Sequence, residues 1–184
     1  MNDSQLILTM FAAIGLGTPL IFATVGEIIT ERAGILNLGV QGMMLVGAVS
    51  GFWATFETGS LFLGVFVAMI AGAVFSLIHA FASITLRVSQ IVSGLALTIF
   101  GTGLASFLGK AGSDPLVGEP SRETFEPLIT GGIADWPVVG PLLFGHDLMV
   151  YVALVAAGAA SYYLFRTRMG LSLRAVGEEP ASAE

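Results

Sequence analysis

The sequence has no cysteine and few charged residues, and both shortages exclude classes of function. Without cysteine there can be no disulfide and no thiolate metal site. Only 11% of the 184 residues are charged and 55% are hydrophobic, whereas soluble domains are far more polar. Seven basic residues against 13 acidic ones give a net charge of -6, which argues against a nucleic-acid partner. The composition therefore predicts an integral membrane protein.

Residues suited to catalysis or metal binding are also scarce. His79 and His146 are the only histidines, and the topology below puts them toward opposite sides of the membrane, so neither a shared metal site nor a cofactor is expected. For His79, which falls in an apolar segment, a hydrogen-bonded packing role is favoured over a functional one. No P-loop sequence occurs. We expect a protein that is not an enzyme and that leaves any ATP to another subunit.

Five apolar runs are long enough to cross a bilayer, which requires about 20 apolar residues per helix. They are residues 5–26, 34–56, 60–86, 91–109 and 148–165. They predict an all-α fold, a polytopic transmembrane helix bundle of about five segments that forms one domain over residues 1–184. The second run begins with closely spaced glycines and two amides, so it either spans the membrane or is broken or re-entrant.

The distribution of basic residues indicates the orientation of this bundle, because Lys and Arg are retained on the cytoplasmic side. With the N-terminus outside and the C-terminus inside, five crossings leave only Lys110 and Arg122 outside. Residues 110–147 then form an acidic extracytoplasmic loop, and residues 166–184 form a cytoplasmic segment. The expected location is the cell membrane, inner or plasma, and a re-entrant second segment would invert every later assignment.

Small residues predict how two of these helices pack. In lipid, helices associate through small residues that let their backbones approach closely. The third segment has a small residue at every fourth position: Gly64, Ala68, Gly72, Ser76 and Ala80. Gly47 and Gly51 in the second segment are the expected partners of this face. The alternative explanation is that glycine and alanine are simply common in transmembrane helices.

Two amides at the start of the second segment, Asn37 and Gln41, are candidates for lining a pathway. They lie among closely spaced glycines, and irregular backbone at membrane depth is tolerated only where protein buries it or water lines it. An equally good interpretation is that these amides only make hydrogen bonds between helices.

The stretch that follows the fifth segment is the clearest candidate for an interaction surface. Residues 166–177 combine basic residues with a short amphipathic stretch that ends at Gly177. Isolated helices of fewer than about 12 residues are marginal in water, so a helix here needs a surface to dock on. By composition alone, a basic anchor for anionic lipid is the better interpretation.

Three motifs extend this interpretation. They are TPLIFA at 18–23 with ERAGILNLGVQGMM at 31–44, SQIVSGLAL at 89–97, and RTRMGLSLRAVGE at 166–178. In this order they resemble ABC-importer permeases of the branched-chain amino acid, ribose and nucleoside type. The first two motifs are similar to the simple-sugar and nucleoside branch, and the third resembles the cytoplasmic segment that couples such permeases to their ATPase.

The resemblance implies a permease half that forms a homo- or heterodimer with a second permease subunit around a substrate pathway. Substrate would arrive from an extracytoplasmic substrate-binding protein, and a separate ABC ATPase would open the pathway. A nucleoside or simple sugar is the expected substrate, ahead of a branched-chain amino acid. The implied coupling residues are Arg168, Gly170, Leu171, Arg174, Ala175, Gly177 and Glu178. The candidates for lining the pathway are Asn37, Gln41, Ser89 and Gln90.

The chain departs from the family's pattern in three respects. Gln41 stands where glutamate is usual, and Glu179 where asparagine is usual. Family members also continue past the coupling segment, so the chain looks truncated, and we expect that this stretch alone would not transport. The alternative from another class is a small scaffold membrane protein that packs through its glycine ladder and binds lipid with its basic tail.

Overall fold

The computed structural model describes residues 3–110, 124–129, 131–132, 136 and 138–179. Its long helices are α1 Asp3–Arg32, α2 Val40–Thr58, α3 Leu61–Ala80, α4 Gln90–Leu108, α5 Leu148–Arg166 and α6 Arg168–Glu178. Short π-helical turns follow α3 at Phe81–Thr85 and precede α5 at Gly140–Phe144. The expected polytopic helical fold is confirmed. Residues 111–123 of the predicted loop and residues 180–184 of the predicted cytoplasmic segment lie outside the described part.

Among the described residues, four helices are long and apolar enough to cross a membrane. They are Gln5–Arg32, Leu61–Thr85, Gln90–Leu108 and Leu148–Arg166, which correspond to the first, third, fourth and fifth predicted segments. The second predicted segment corresponds to α2. With 19 residues, α2 is about 28 Å long, close to the thickness of a bilayer core. It is not among the four helices with a sufficiently apolar stretch, and it contains the polar residues Gln41 and Glu57.

The chain divides into two compact units. Unit 1 consists of Met1–Gly34 and Phe125–Glu184, and it contains α1, α5 and α6. Unit 2 consists of Ile35–Thr124, and it contains α2, α3 and α4. Each unit is described by itself.

In unit 1, α1 and α5 run parallel to each other. Near their N-terminal ends the rings of Phe11 and His146 are stacked, with centroids 4.6 Å apart. Near their C-terminal ends the Arg32 guanidinium lies 5.9 Å from the centre of the Phe165 ring. Asp147 caps the start of α5 by accepting hydrogen bonds from the backbone N–H groups of Met149 and Val150. Both helices therefore end at the same side of the unit.

In unit 2, α2 and α3 pack as antiparallel neighbours along several turns. A methyl group added to Gly51 would lie 2.8 Å from the carbonyl oxygen of Gly64, and one added to Gly47 would lie 3.1 Å from that of Ala68. Gly72 is farther from α2, since a methyl group there would be 4.0 Å from the Met43 carbonyl oxygen. The two backbones thus approach closely only because these positions lack larger side chains.

The rest of the predicted small-residue ladder makes fewer contacts. The Ser76 hydroxyl donates to the carbonyl oxygen of Ala73 in its own helix, and Ala80 is the last residue of α3. The residue before Ser76, Phe75, is buried, and its ring stacks on that of Phe100 in α4 with centroids 5.8 Å apart. Packing at this end of α3 therefore depends on an aromatic ring as well as on small residues.

On its other side, α2 packs against α4. A methyl group on Gly101 would lie 2.7 Å from Gly42, and one on Gly94 would lie 2.8 Å from the backbone nitrogen of Leu38. Helix α2 consequently lies between two neighbours, and six of its residues are buried. Its lower hydropathy has a physical cause, because a helix enclosed by other helices has less surface that must suit lipid.

Candidate functional site

The most distinctive site in unit 1 is α6, an 11-residue helix placed directly after the membrane span α5. Thr167 begins α6 as its N-cap, and its hydroxyl oxygen accepts a hydrogen bond from the Gly170 N–H at 3.0 Å. The same hydroxyl donates to the carbonyl oxygen of Tyr163 in the last turn of α5, at 2.6 Å. One threonine therefore ends α5, starts α6 and fixes the angle between them.

Two glycines hold α6 against the ends of α5 and α1. A methyl group on Gly170 would clash with the carbonyl oxygen of Tyr163, and one on Gly177 would clash with that of Arg32. Gly34, which follows α1, has a φ of +85° that favours glycine, and a methyl group on it would lie 3.3 Å from the Gly177 Cα. The two glycines are seven residues apart, so they lie on one face of the helix.

This docked face consists of Gly170, Leu173, Arg174 and Gly177, all of which are buried or half-buried. The opposite, exposed face consists of Arg168, Met169, Leu171, Ser172, Ala175, Val176 and Glu178. Three of these exposed side chains are large and apolar: Met169 is 70% exposed, Leu171 60% and Val176 46%. The predicted coupling residues are thus divided between a face that anchors the helix and a face that is open to a partner.

Arg174 is the charged member of the docked face. Its guanidinium lies 5.1 Å from the centre of the Phe165 ring, the same ring that Arg32 approaches. Its Nε atom is buried and has no hydrogen-bond partner among the described residues. Arg174 is therefore turned toward α1 and α5 rather than toward the exposed face.

The predicted pathway residues lie in unit 2, where the segment between α1 and α2 meets the start of α4. The Gln90 side chain accepts a hydrogen bond from the Leu36 N–H at 2.7 Å, and the Asn37 side chain accepts one from the Gly39 N–H at 3.0 Å. Both amides thus stabilise an irregular backbone segment. Gln41 and Ser89 are exposed. A role for these four residues in a pathway stays a prediction.

Sequence reasoning missed the contacts that hold this segment in place. Thr98 donates its hydroxyl to the Leu38 carbonyl oxygen at 2.7 Å, and Gly94 lies against the backbone of Leu38 and Gly39. The sequence feature that could have indicated these contacts is the spacing of seven residues between Gly94 and Gly101, which puts both glycines on one face of α4.

The two histidines have separate local partners. His79 is buried in unit 2, and its Nδ1 lies 3.1 Å from the Ser93 hydroxyl. His146 is buried in unit 1, where its Nε2 lies 3.1 Å from the Leu142 carbonyl oxygen and its ring stacks on Phe11. Within the described residues, no group of three potential metal-ligating side chains occurs.

A family model described as branched-chain amino acid transport system, permease component, matches residues 9–184. Three relatives also match. A protein named as a glucose ABC transporter permease, from Haloferax volcanii, is 41% identical over 174 residues, which is 94% of this chain and 52% of the relative. A guanosine ABC transporter permease from Bacillus subtilis is 35% identical, covering 94% of this chain and 56% of the relative. A nucleoside ABC transporter permease from Lactococcus lactis is 35% identical, covering 91% and 55%.

The chain spans about half the length of the curated relatives it matches. No solved structure matches it.

Proposed function

Because this chain belongs to the family of branched-chain amino acid transport system permease components, we propose that it forms membrane-spanning permease structure of an ABC importer. In this role it performs no chemistry itself. ATP hydrolysis belongs to a separate ABC ATPase, and substrate is delivered by an extracytoplasmic binding protein. A second permease subunit, the same or different, completes the pathway.

The proposed substrate is a nucleoside or a simple sugar. The names of the three relatives refer to glucose, guanosine and nucleosides, and none of them refers to an amino acid. The motifs at 18–44 and 89–97 favour the same branch of the family. A branched-chain amino acid is the second choice.

The observation that supports this role most strongly is the two-sided geometry of α6. Its docked face is fixed to α5 and α1 through Gly170 and Gly177, while its exposed face presents apolar side chains beyond the end of a membrane span. Exposed apolar residues on an anchored helix are typical of a surface that another protein covers. The partner we propose is the ATPase, which would grip α6 and move the ends of α1 and α5 with it.

The packing of the helices supports five crossings, with the N-terminus outside and the C-terminus inside. Parallel spans α1 and α5 require an odd number of crossings between them. Helices α3 and α4 are apolar enough to supply two of these crossings, so α2 supplies the third. Its antiparallel packing on α3 over Gly47 and Gly51 agrees with this count. The positive-inside rule then puts α6 in the cytoplasm.

The test of this role is the substitution Leu171→Asp on the exposed face. A charge in the middle of an apolar docking surface must be desolvated when the partner binds, and we expect at least a tenfold loss of affinity for the ATPase. The measurement is co-purification of the importer's ATPase with the permease, together with substrate-stimulated ATP hydrolysis in liposomes.

The matched control is Leu143→Asp, because Leu143 is 59% exposed but lies before α5, at the opposite end of that helix from α6. This control should retain the ATPase. Equal retention by Leu171→Asp would contradict the docking role of α6.

A further inference from the structure

Two arginines and a phenylalanine from three different helices meet at one end of unit 1. The guanidinium carbon of Arg32, in α1, lies 5.9 Å from the centre of the Phe165 ring, in α5. That of Arg174, in α6, lies 5.1 Å from the same centre. The ring itself is 54% exposed. The cluster of Arg32, Phe165 and Arg174 therefore concentrates two positive charges around one accessible apolar surface.

Within the described residues, each guanidinium of this cluster contacts the Phe165 ring. The Arg174 Nε atom is buried without a hydrogen-bond partner in the same part of the chain. A cation–π contact contributes only about 0.5–1 kcal/mol at an exposed site and leaves the donors of the guanidinium unused. Both guanidinium groups therefore keep donors that can bind an anion, and an anion beside the ring is attracted by two positive charges.

The position of the cluster identifies the anion. Arg32 is the last residue of one membrane span, and Phe165 is the next-to-last residue of another. Both lie where a spanning helix leaves the hydrocarbon core, at the depth of lipid headgroups. A guanidinium group can donate two parallel hydrogen bonds to two phosphate oxygens. An aromatic ring suits the boundary between headgroup and acyl chain.

We propose that Arg32 and Arg174 bind the phosphate of an anionic phospholipid, whose glycerol and upper acyl chain lie against Phe165. The lipid would join α6 to α1 through a contact between side chains, next to the contact between Gly177 and the α1 C-terminus. The proposal rests on the membrane placement of α1 and α5 and not on transport.

A carboxylate of the ATPase is the competing anion, and the geometry disfavours it. Arg174 belongs to the docked face of α6, whereas the side chains open to a protein partner are on the opposite face. A partner on the exposed face would reach Leu171 and Val176 before Arg174. The lipid is the occupant that approaches from the membrane.

The experiment uses the purified protein in nanodiscs. Binding of a fluorescent phosphatidylglycerol is measured against a phosphatidylcholine background, with phosphatidylcholine and inorganic phosphate as competing probes. The variants are Arg32→Gln, Arg174→Gln and the conservative Arg32→Lys. The matched control is Arg166→Gln, which removes an exposed arginine next to Phe165 that makes no described contact with the ring. Melting temperatures establish that each variant is folded.

We expect phosphatidylglycerol to bind in preference to phosphatidylcholine and each Gln variant to weaken it about tenfold, as for the loss of one charge-assisted contact. The affinity of Arg32→Lys for phosphatidylglycerol should lie between those of Arg32→Gln and the unchanged protein. The affinity of Arg166→Gln should stay within about twofold of the unchanged protein's. An equal loss of phosphatidylglycerol affinity in Arg166→Gln would mean that any basic residue at this surface contributes alike, and it would overturn the proposal. Displacement by inorganic phosphate at a concentration equal to that of the lipid would also overturn it, since the site would then recognise free phosphate.

Discussion

At the scale of single residues, Gly177 determines whether α6 can lie against the end of α1. A side chain there would meet the Arg32 carbonyl oxygen and the Gly34 nitrogen, both of which are backbone atoms that cannot rotate away. Overpacking of this kind typically costs about 1–3 kcal/mol. We therefore expect Gly177→Val to detach the C-terminal half of α6, and amide hydrogen exchange of residues 171–178 should rise by at least tenfold.

Gly158→Val provides the control for this prediction, because a methyl group added to Gly158 in α5 would meet no atom of another element within 4 Å in the described part of the chain. Its exchange should match that of the unchanged protein. Protection of α6 that survives in Gly177→Val would mean that the glycine contact does not hold the helix.

Arg174 shows that a sequence motif does not determine which face of a helix each of its residues occupies. The motif assigns Arg174 and Leu171 together to coupling, yet the structure turns Arg174 toward Phe165 and leaves Leu171 exposed. The division depends on backbone contacts between residues far apart in sequence, such as Gly34 and Gly177, so a local pattern cannot predict it. Assignment of these residues to ATPase coupling stays a prediction.

At the scale of elements, α2 is the helix whose role the sequence could least determine. Hydropathy identifies the helices that face lipid, and it indicated α1, α3, α4 and α5 without difficulty. Hydropathy gives a low score to a helix enclosed by two others, because the surface of such a helix contacts its neighbours through glycines and not lipid through large apolar side chains. The predicted partners Gly51 and Gly64 are indeed adjacent, whereas the equally close contact of Gly42 with Gly101 was not foreseen.

The membrane crossing of α2 is tested by single cysteines, which are unambiguous because the chain has none of its own. Glu57→Cys lies near the end of α2 and Glu31→Cys near the end of α1; both positions are exposed, and α2 is the one long helix between them. With five crossings, a membrane-impermeant thiol reagent should label Glu57→Cys from outside intact cells and reach Glu31→Cys only in inverted vesicles. Labelling of both from the same side would mean that α2 is re-entrant.

At the scale of the whole molecule, we propose that a membrane-embedded helical bundle receives energy from an ATPase. The chain belongs to the permease family but spans about half the length of its relatives, so the substrate, the dimer and the ATPase contact are proposals. The relatives' names narrow the substrate to a class, but no side chain in the described part identifies one member. The contact between α6 and the ATPase is the proposal that the structure supports most strongly.

This contact can be measured by thiol-specific cross-linking from Ser172→Cys to the ATPase in membranes that contain the whole importer. We expect a cross-link from Ser172→Cys whose yield changes when ATP is bound, and none from Glu57→Cys on the other side of the membrane. The same cross-linking yield from both positions, or none from Ser172→Cys while the importer is active, would contradict it.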